Sequence, residues 1–149
     1  MIIVSRETPH RDDVVALIHQ SDALMTSLYP AESNHLVGLD ALAAPDVHFF
    51  VARENGVALG CGAFRLDGDC AEMKRVFVDP RARGKGIARL IMEHLEAEAA
   101  KHGVTLLQLE TGIKQPEAIA LYRKFGYVER GPFGAYKPDP LSLFMEKRL

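Results

Sequence analysis

Apolar and polar positions alternate with a period of two at the start of the chain, where Ile2 and Val4 oppose Ile3 and Ser5 in a short strand that Thr8-Pro9-His10 ends. The spacing then lengthens to three and four. Val14, Ala16, Leu17, Ile18, Leu24, Met25 and Leu28 form the buried stripe expected of a helix that begins near Asp12. A polar loop from Tyr29 to His35, stopped by Pro30, precedes a second short helix predicted over Leu36 to Ala44. His48 to Arg53 and Val57 to Arg65 are rich in Val, Phe and small apolar residues, and they flank Glu54-Asn55-Gly56. Asn-Gly suits the left-handed backbone of a tight hairpin, and a second turn at Asp67-Gly68-Asp69 leads into Cys70 to Val78, so three antiparallel strands in a meander are expected.

The last of these strands changes phase. Ala71 and Met73 are apolar on odd positions, Val76 and Val78 on even ones, with the slip near Lys74-Arg75. One extra residue in a period-two pattern moves every later side chain to the other face, as a β-bulge does; burial of the strand end on both faces would give the same pattern. Beyond Asp79-Pro80, the positions Ile87, Leu90, Ile91, His94, Leu95, Glu98 and Ala99 mark a helix closed by His102-Gly103. Val104 to Glu110 reads as a strand, Pro116 to Phe125 as a helix with Gly126 past its end, and Tyr127 to Arg130 and Leu141 to Leu149 as two more strands. The order predicts a mixed α/β fold: a mostly antiparallel central sheet of about seven strands flanked by about four helices.

Composition narrows the function classes. With 149 residues and 48% apolar residues, the chain suits one domain, residues 1–149, around one ordinary core. A formal charge of -2 supplies no overall field toward nucleic acid. Cys61 and Cys70 lack metal-ligand spacing and read as reduced, packed residues, and the six histidines form no H-E-x-x-H or H-x-x-x-H pair, so no metal is expected. No apolar run approaches the roughly 20 residues that span a bilayer, and Met1 to Arg6 lacks the pattern of a signal peptide; a cytoplasmic protein is expected, with no membrane partner.

Arg81-Ala82-Arg83-Gly84-Lys85-Gly86-Ile87-Ala88 joins a strand to an amphipathic helix. Amides at a helix N-terminus point outward with partial positive charge, glycine lets an anion approach the backbone, and Arg81, Arg83 and Lys85 add cationic charge around it. The spacing matches neither the Walker loop nor G-x-G-x-x-G. It does match [QR]-x-x-G-x-[GA] at Arg81, Gly84 and Gly86, and the strand before it ends in Val78-Asp79-Pro80. Downstream, Ala118-Ile119-Ala120-Leu121-Tyr122 is followed by Gly126-Tyr127. In both signatures, and in the order of its elements over essentially the whole length, the chain resembles the GCN5-related N-acetyltransferase superfamily.

That resemblance implies acetyl coenzyme A as cofactor, with its diphosphate on the turn from Arg81 to Ala88 and its pantetheine arm along Val76, Phe77 and Val78. Many members carry Asn seven residues before the tyrosine; Gln115 stands there in this chain and offers an amide from a different reach. Direct attack on a thioester needs a neutral amine, an oxyanion donor and a proton for the leaving thiolate. Tyr122, at the family's tyrosine position, is expected to be the acid as well as a cofactor contact. Glu72 is expected to be the base, since it faces away from Ala71 and Met73, with Glu110 as the second candidate. Tyr29, Glu32 and His35 are expected to bind the acceptor, and Phe133-Gly134-Ala135-Tyr136-Lys137-Pro138 to form another wall. The expected acceptor is a primary amine of a small molecule; a protein or peptide amine, and a non-catalytic acyl-CoA-binding domain, are the alternatives. Exposed strands and the late loop allow a homodimer.

Overall fold

The computed structural model describes residues 1–33 and 38–149. The strands are β1 (Ile2–Arg6), β2 (Val47–Glu54), β3 (Val57–Asp67), β4 (Cys70–Val78), β5 (Leu106–Gly112), β6 (Val128–Arg130) and β7 (Ser142–Arg148). The helices are α1 (Asp12–Leu28), α2 (Leu39–Leu42), α3 (Ile87–Lys101) and α4 (Pro116–Lys124). All seven strands join one sheet in the order β1-β2-β3-β4-β5-β7-β6, antiparallel throughout except for the parallel pair β4 and β5. The expected mixed fold is therefore present. The order at its far edge has a physical reason: β7 carries buried Phe144 and Met145 and needs cover on both sides, whereas the three residues of β6 are short and largely exposed and suit an edge.

The sheet separates two apolar layers. On one face α3 packs Ile87, Ile91 and Leu95 against Phe64, Met73 and Leu107; on the other α1 packs Val14, Leu17 and Ile18 against Phe49, Val51 and Phe77. Burial of each such side chain contributes about 1.5–3 kcal/mol. Gly60 and Gly62 of β3 permit the close approach of α3: a Cβ on Gly62 would lie 2.8 Å from Ile91 and 3.1 Å from Leu95. Three expectations need correction. Ala16 is exposed, because buried Ser21 and not Ala16 continues the stripe of Val14, Leu17 and Ile18. The fifth strand starts at Leu106 and not at Val104, whose amide instead closes α3 by donating to the Ala99 carbonyl at 3.1 Å. The second helix is confined to Leu39–Leu42.

The phase slip in β4 is a bulge. Between the pairs Cys61↔Phe77 and Ala63↔Lys74, β3 advances by two residues and β4 by three. Arg75 takes the turn with φ 59°, a left-handed conformation in a residue that carries a side chain. Ala71, Met73, Val76 and Val78 consequently pack with the α3 layer, while Phe77 faces α1. Among the contacts of the bulge with described residues, the Arg75 guanidinium pairs with Asp22 of α1, and the Cys61 thiol donates to the Arg75 carbonyl at 3.3 Å. Burial pushes the Cys61 thiol up to about 12, so it is a protonated, packed residue.

Candidate active site

Parallel pairing of β4 with β5 ends at Met73 and Leu109, after which the strands diverge. From Lys74 onward β4 bonds only to β3, and from Glu110 onward β5 bonds only to β7. The edges facing the resulting cleft have backbone groups that no neighbouring strand satisfies, and Val76, Phe77 and Val78 flank it.

The glycine turn lies beyond the end of β4. Asp79, buried, accepts from the Arg81 amide at 2.9 Å and from the Arg81 guanidinium at 2.7 Å. The Arg81 hydrogen bond holds the Asp79 carboxyl down to about 2. Gly84 and Gly86 have φ of 84° and 74°, and an added Cβ would meet nothing within 4 Å, so backbone conformation and not crowding calls for glycine there. The first helical bond of α3 runs from the Leu90 amide to the Gly86 carbonyl at 3.1 Å, which leaves the amides of Ile87, Ala88 and Arg89 outside the helix ladder. An anion fits that open cradle. The basic side chains are already paired: Arg81 with Asp79, Lys85 with Glu54 at 2.8 Å, and Arg83 at 3.8 Å from Glu117. The last two pairs are solvent-exposed and worth little, so Arg83 and Lys85 can exchange their partners for a phosphate at small cost.

A cavity of about 120 Å³ opens at the cleft and is lined by Tyr29, Glu72, Val76, Glu110, Gln115 and Tyr122, among others. It thus brings together expected site residues from the end of α1, from β4 and β5, and from the start and body of α4. Tyr122 is 7% exposed, lies edge-to-face with Tyr127 at 6.0 Å between ring centres, and has no hydrogen-bond partner among the described residues. Burial, with a further contribution from the Glu110 charge, pushes its phenol up to about 12. It therefore holds its proton at any working pH. Glu110 accepts from the Ser142 hydroxyl at 2.8 Å.

Tyr29 lines the cavity but is itself buried, 7% exposed. Its ring crosses Gly112 so closely that a Cβ there would fall 1.8 Å from the hydroxyl oxygen. The hydroxyl donates to Gln115 Oε1 at 3.3 Å and accepts from the Lys114 amide at 3.1 Å. Tyr29 thus braces the start of α4 and orients Gln115. Glu72, 6% exposed, accepts from Tyr136 at 2.5 Å and Lys74 at 3.1 Å, with Arg65 at 3.5 Å.

A second cavity, of about 570 Å³, adjoins the first beneath the loop after β6 and is lined by Glu32, Arg65, Gln108 and residues Phe133 to Asp139. The late segment therefore forms a wall, and Glu32 belongs to this outer space. His35 lies outside the described residues. Neither cavity reaches the turn from Arg81 to Ala88. Sequence reasoning did not identify Tyr136 as the partner of Glu72, or Asp22 as the partner of Arg75. These contacts join positions 64 and 53 residues apart, and no local pattern signals them.

A sheet that splays between two parallel strands and a helix start with free amides can accommodate an extended anionic ligand. The chain belongs to the GNAT family of acetyltransferases, whose family model matches residues 15–127. It is 53% identical to "IAA acetyltransferase" of Azospirillum brasilense, covering 99% of this chain and 98% of that protein. It is 37% identical to the uncharacterized N-acetyltransferase YsnE of Bacillus subtilis, covering 91% and 92% respectively. The crystal structure of an acyl-CoA N-acyltransferase from Klebsiella pneumoniae superposes with a TM-score of 0.86 at 39% identity, over 100% of this chain and 98% of that one. The PaiA N-acetyltransferase of Thermoplasma acidophilum, solved with coenzyme A, shares the fold with a TM-score of 0.78 at 15% identity, over 100% and 99%. The protein is an acyl-CoA-dependent N-acetyltransferase, and acetyl coenzyme A is its donor.

Proposed function

We propose that the protein acetylates the primary amine of a small molecule by direct attack, without an acyl-enzyme. The observation that carries this reading is the small inner cavity, about 120 Å³, which Tyr122 and two glutamates line together. A space of this size suits the end of a small amine, whereas a peptide acceptor calls for a longer groove. The name of the Azospirillum relative supports a small acceptor as well.

Acetyl coenzyme A, when bound, supplies an activated thioester. In this reading the amides of Gly84 to Ala88, aided by Arg83 and Lys85, hold the diphosphate, and the free edge of Val76 to Val78 holds the pantetheine arm. Gln115, oriented by Tyr29, offers an amide to the same ligand. Tyr122 donates a hydrogen bond toward the sulfur: a phenol near 12 stays protonated, and a donor beside a leaving thiolate, whose thiol ordinarily titrates near about 8.5, stabilises its charge. A carboxylate takes the proton that the amine loses. Glu72 meets an amine arriving from the outer cavity first, and Glu110 lies beside Tyr122 as the second candidate.

The reading is tested by thiol release from acetyl coenzyme A against a panel of amines, amino acids, polyamines and short peptides. Release with small amines alone is expected. Release with peptides alone would assign a protein acceptor, and tight coenzyme A binding without any release would assign a non-catalytic binding role.

A further inference from the structure

Three residues line both cavities: Glu72, Lys74 and Tyr136. Glu72 and Lys74 are strand residues of β4, so among the described residues the part of this shared wall that comes from a loop is Tyr136. Three contacts with described residues hold this side chain. It packs on Phe133 at 5.2 Å and on Phe144 at 5.4 Å between ring centres, and its hydroxyl donates to Glu72 at 2.5 Å. A side chain held at both the ring and the tip behaves as a fixed partition, unlike an exposed tyrosine free to change rotamer.

We propose that Tyr136 is the specificity-determining residue of the acceptor site: its ring divides the inner cavity of about 120 Å³ from the outer one of about 570 Å³ and restricts acceptors to short aliphatic primary amines. This inference rests on the reading of the inner cavity as the place of acetyl transfer. The inner space accommodates an acetyl group and a chain of a few heavy atoms; an aromatic amine needs the outer space as well, and the ring of Tyr136 stands between them. Removal of the ring joins the two.

Binding separates this from the parent reading without need of turnover. The wild type, Tyr136→Phe and Tyr136→Ala are titrated calorimetrically with coenzyme A and with two conjugates in which an acetyl bridge links the coenzyme A sulfur to the nitrogen of ethylamine or of phenylethylamine. Coenzyme A is expected to bind all three proteins alike, which shows that the donor site is intact. The wild type and Tyr136→Phe are expected to bind the phenylethylamine conjugate at least tenfold more weakly than the ethylamine conjugate, and Tyr136→Ala to bind the two within threefold. Should Tyr136→Ala lose affinity for coenzyme A itself, Tyr136→Val serves in its place. A wild type that binds both conjugates equally, an alanine variant that still discriminates, or a phenylalanine variant that gains as much as alanine would overturn the proposal. A wild type that does not bind coenzyme A would overturn the parent reading, and this one with it.

Discussion

Tyr122 concentrates the chemistry of the site in one hydroxyl. Its ring packs on Tyr127, so Tyr122→Phe should keep the fold; turnover at saturating substrate should fall about 10²-fold or more, with little change in KM, as measured by thiol release. Because the phenol is pushed up to about 12, no limb of the rate profile below pH 10 should belong to it. The acidic limb should instead belong to a carboxylate. Comparison of Glu72→Gln with Glu110→Gln locates it, since the limb should flatten in only the variant that has lost the base. At this scale the sequence was informative where a residue's role follows from its neighbours in the chain. Glu72 and Glu110 were legible from strand alternation, and both line the inner cavity. The brace between Tyr29, Gly112 and Gln115 was not, because it joins residues 86 apart through a close contact that no periodicity records.

Elements were the most legible level. The slip from odd to even apolar positions marked the bulge within one residue of Arg75, because one face of β4 has to stay on the α3 layer throughout. The parallel join of β4 to β5, and with it the cleft, was not read from the sequence, since neither strand's own pattern says which neighbour it takes. Two substitutions probe how the elements set the anion cradle. Gly62→Ala puts a Cβ 2.8 Å from Ile91 and pushes α3 off the sheet, so a loss of about 1–3 kcal/mol in stability, together with weaker coenzyme A binding, is expected from denaturation and calorimetry. Asp79→Asn weakens the cap of the turn before α3 and should cost about 1 kcal/mol. It should also change the acid response. The Asp79 carboxyl titrates at about 2 in the folded state against 3.8 ordinarily, so its stabilisation is present above pH 3.8 and is lost as pH falls toward 2; that part of the decline in Tm should be absent from the Asn variant.

For the molecule as a whole, the buried protons of Cys61 and Tyr122 set an alkaline boundary. Both groups titrate higher in the folded chain, at about 12, than their ordinary values of 9.0 and 10.0. Their contribution to stability is complete below pH 9 and declines as pH rises toward 12, so Tm should fall over that interval, and Tyr122→Phe should lessen the fall above pH 10. The family model ends at Tyr127, before the loop that carries Tyr136. That loop leaves and re-enters the sheet through neighbouring strands whose ladder includes the pair Arg130↔Phe144. Its two ends are thus pinned together independently of what lies between them, which makes residues 131–141 an exchangeable cassette. Grafting the corresponding loop of a relative between those stems should transplant acceptor preference while leaving affinity for the donor unchanged.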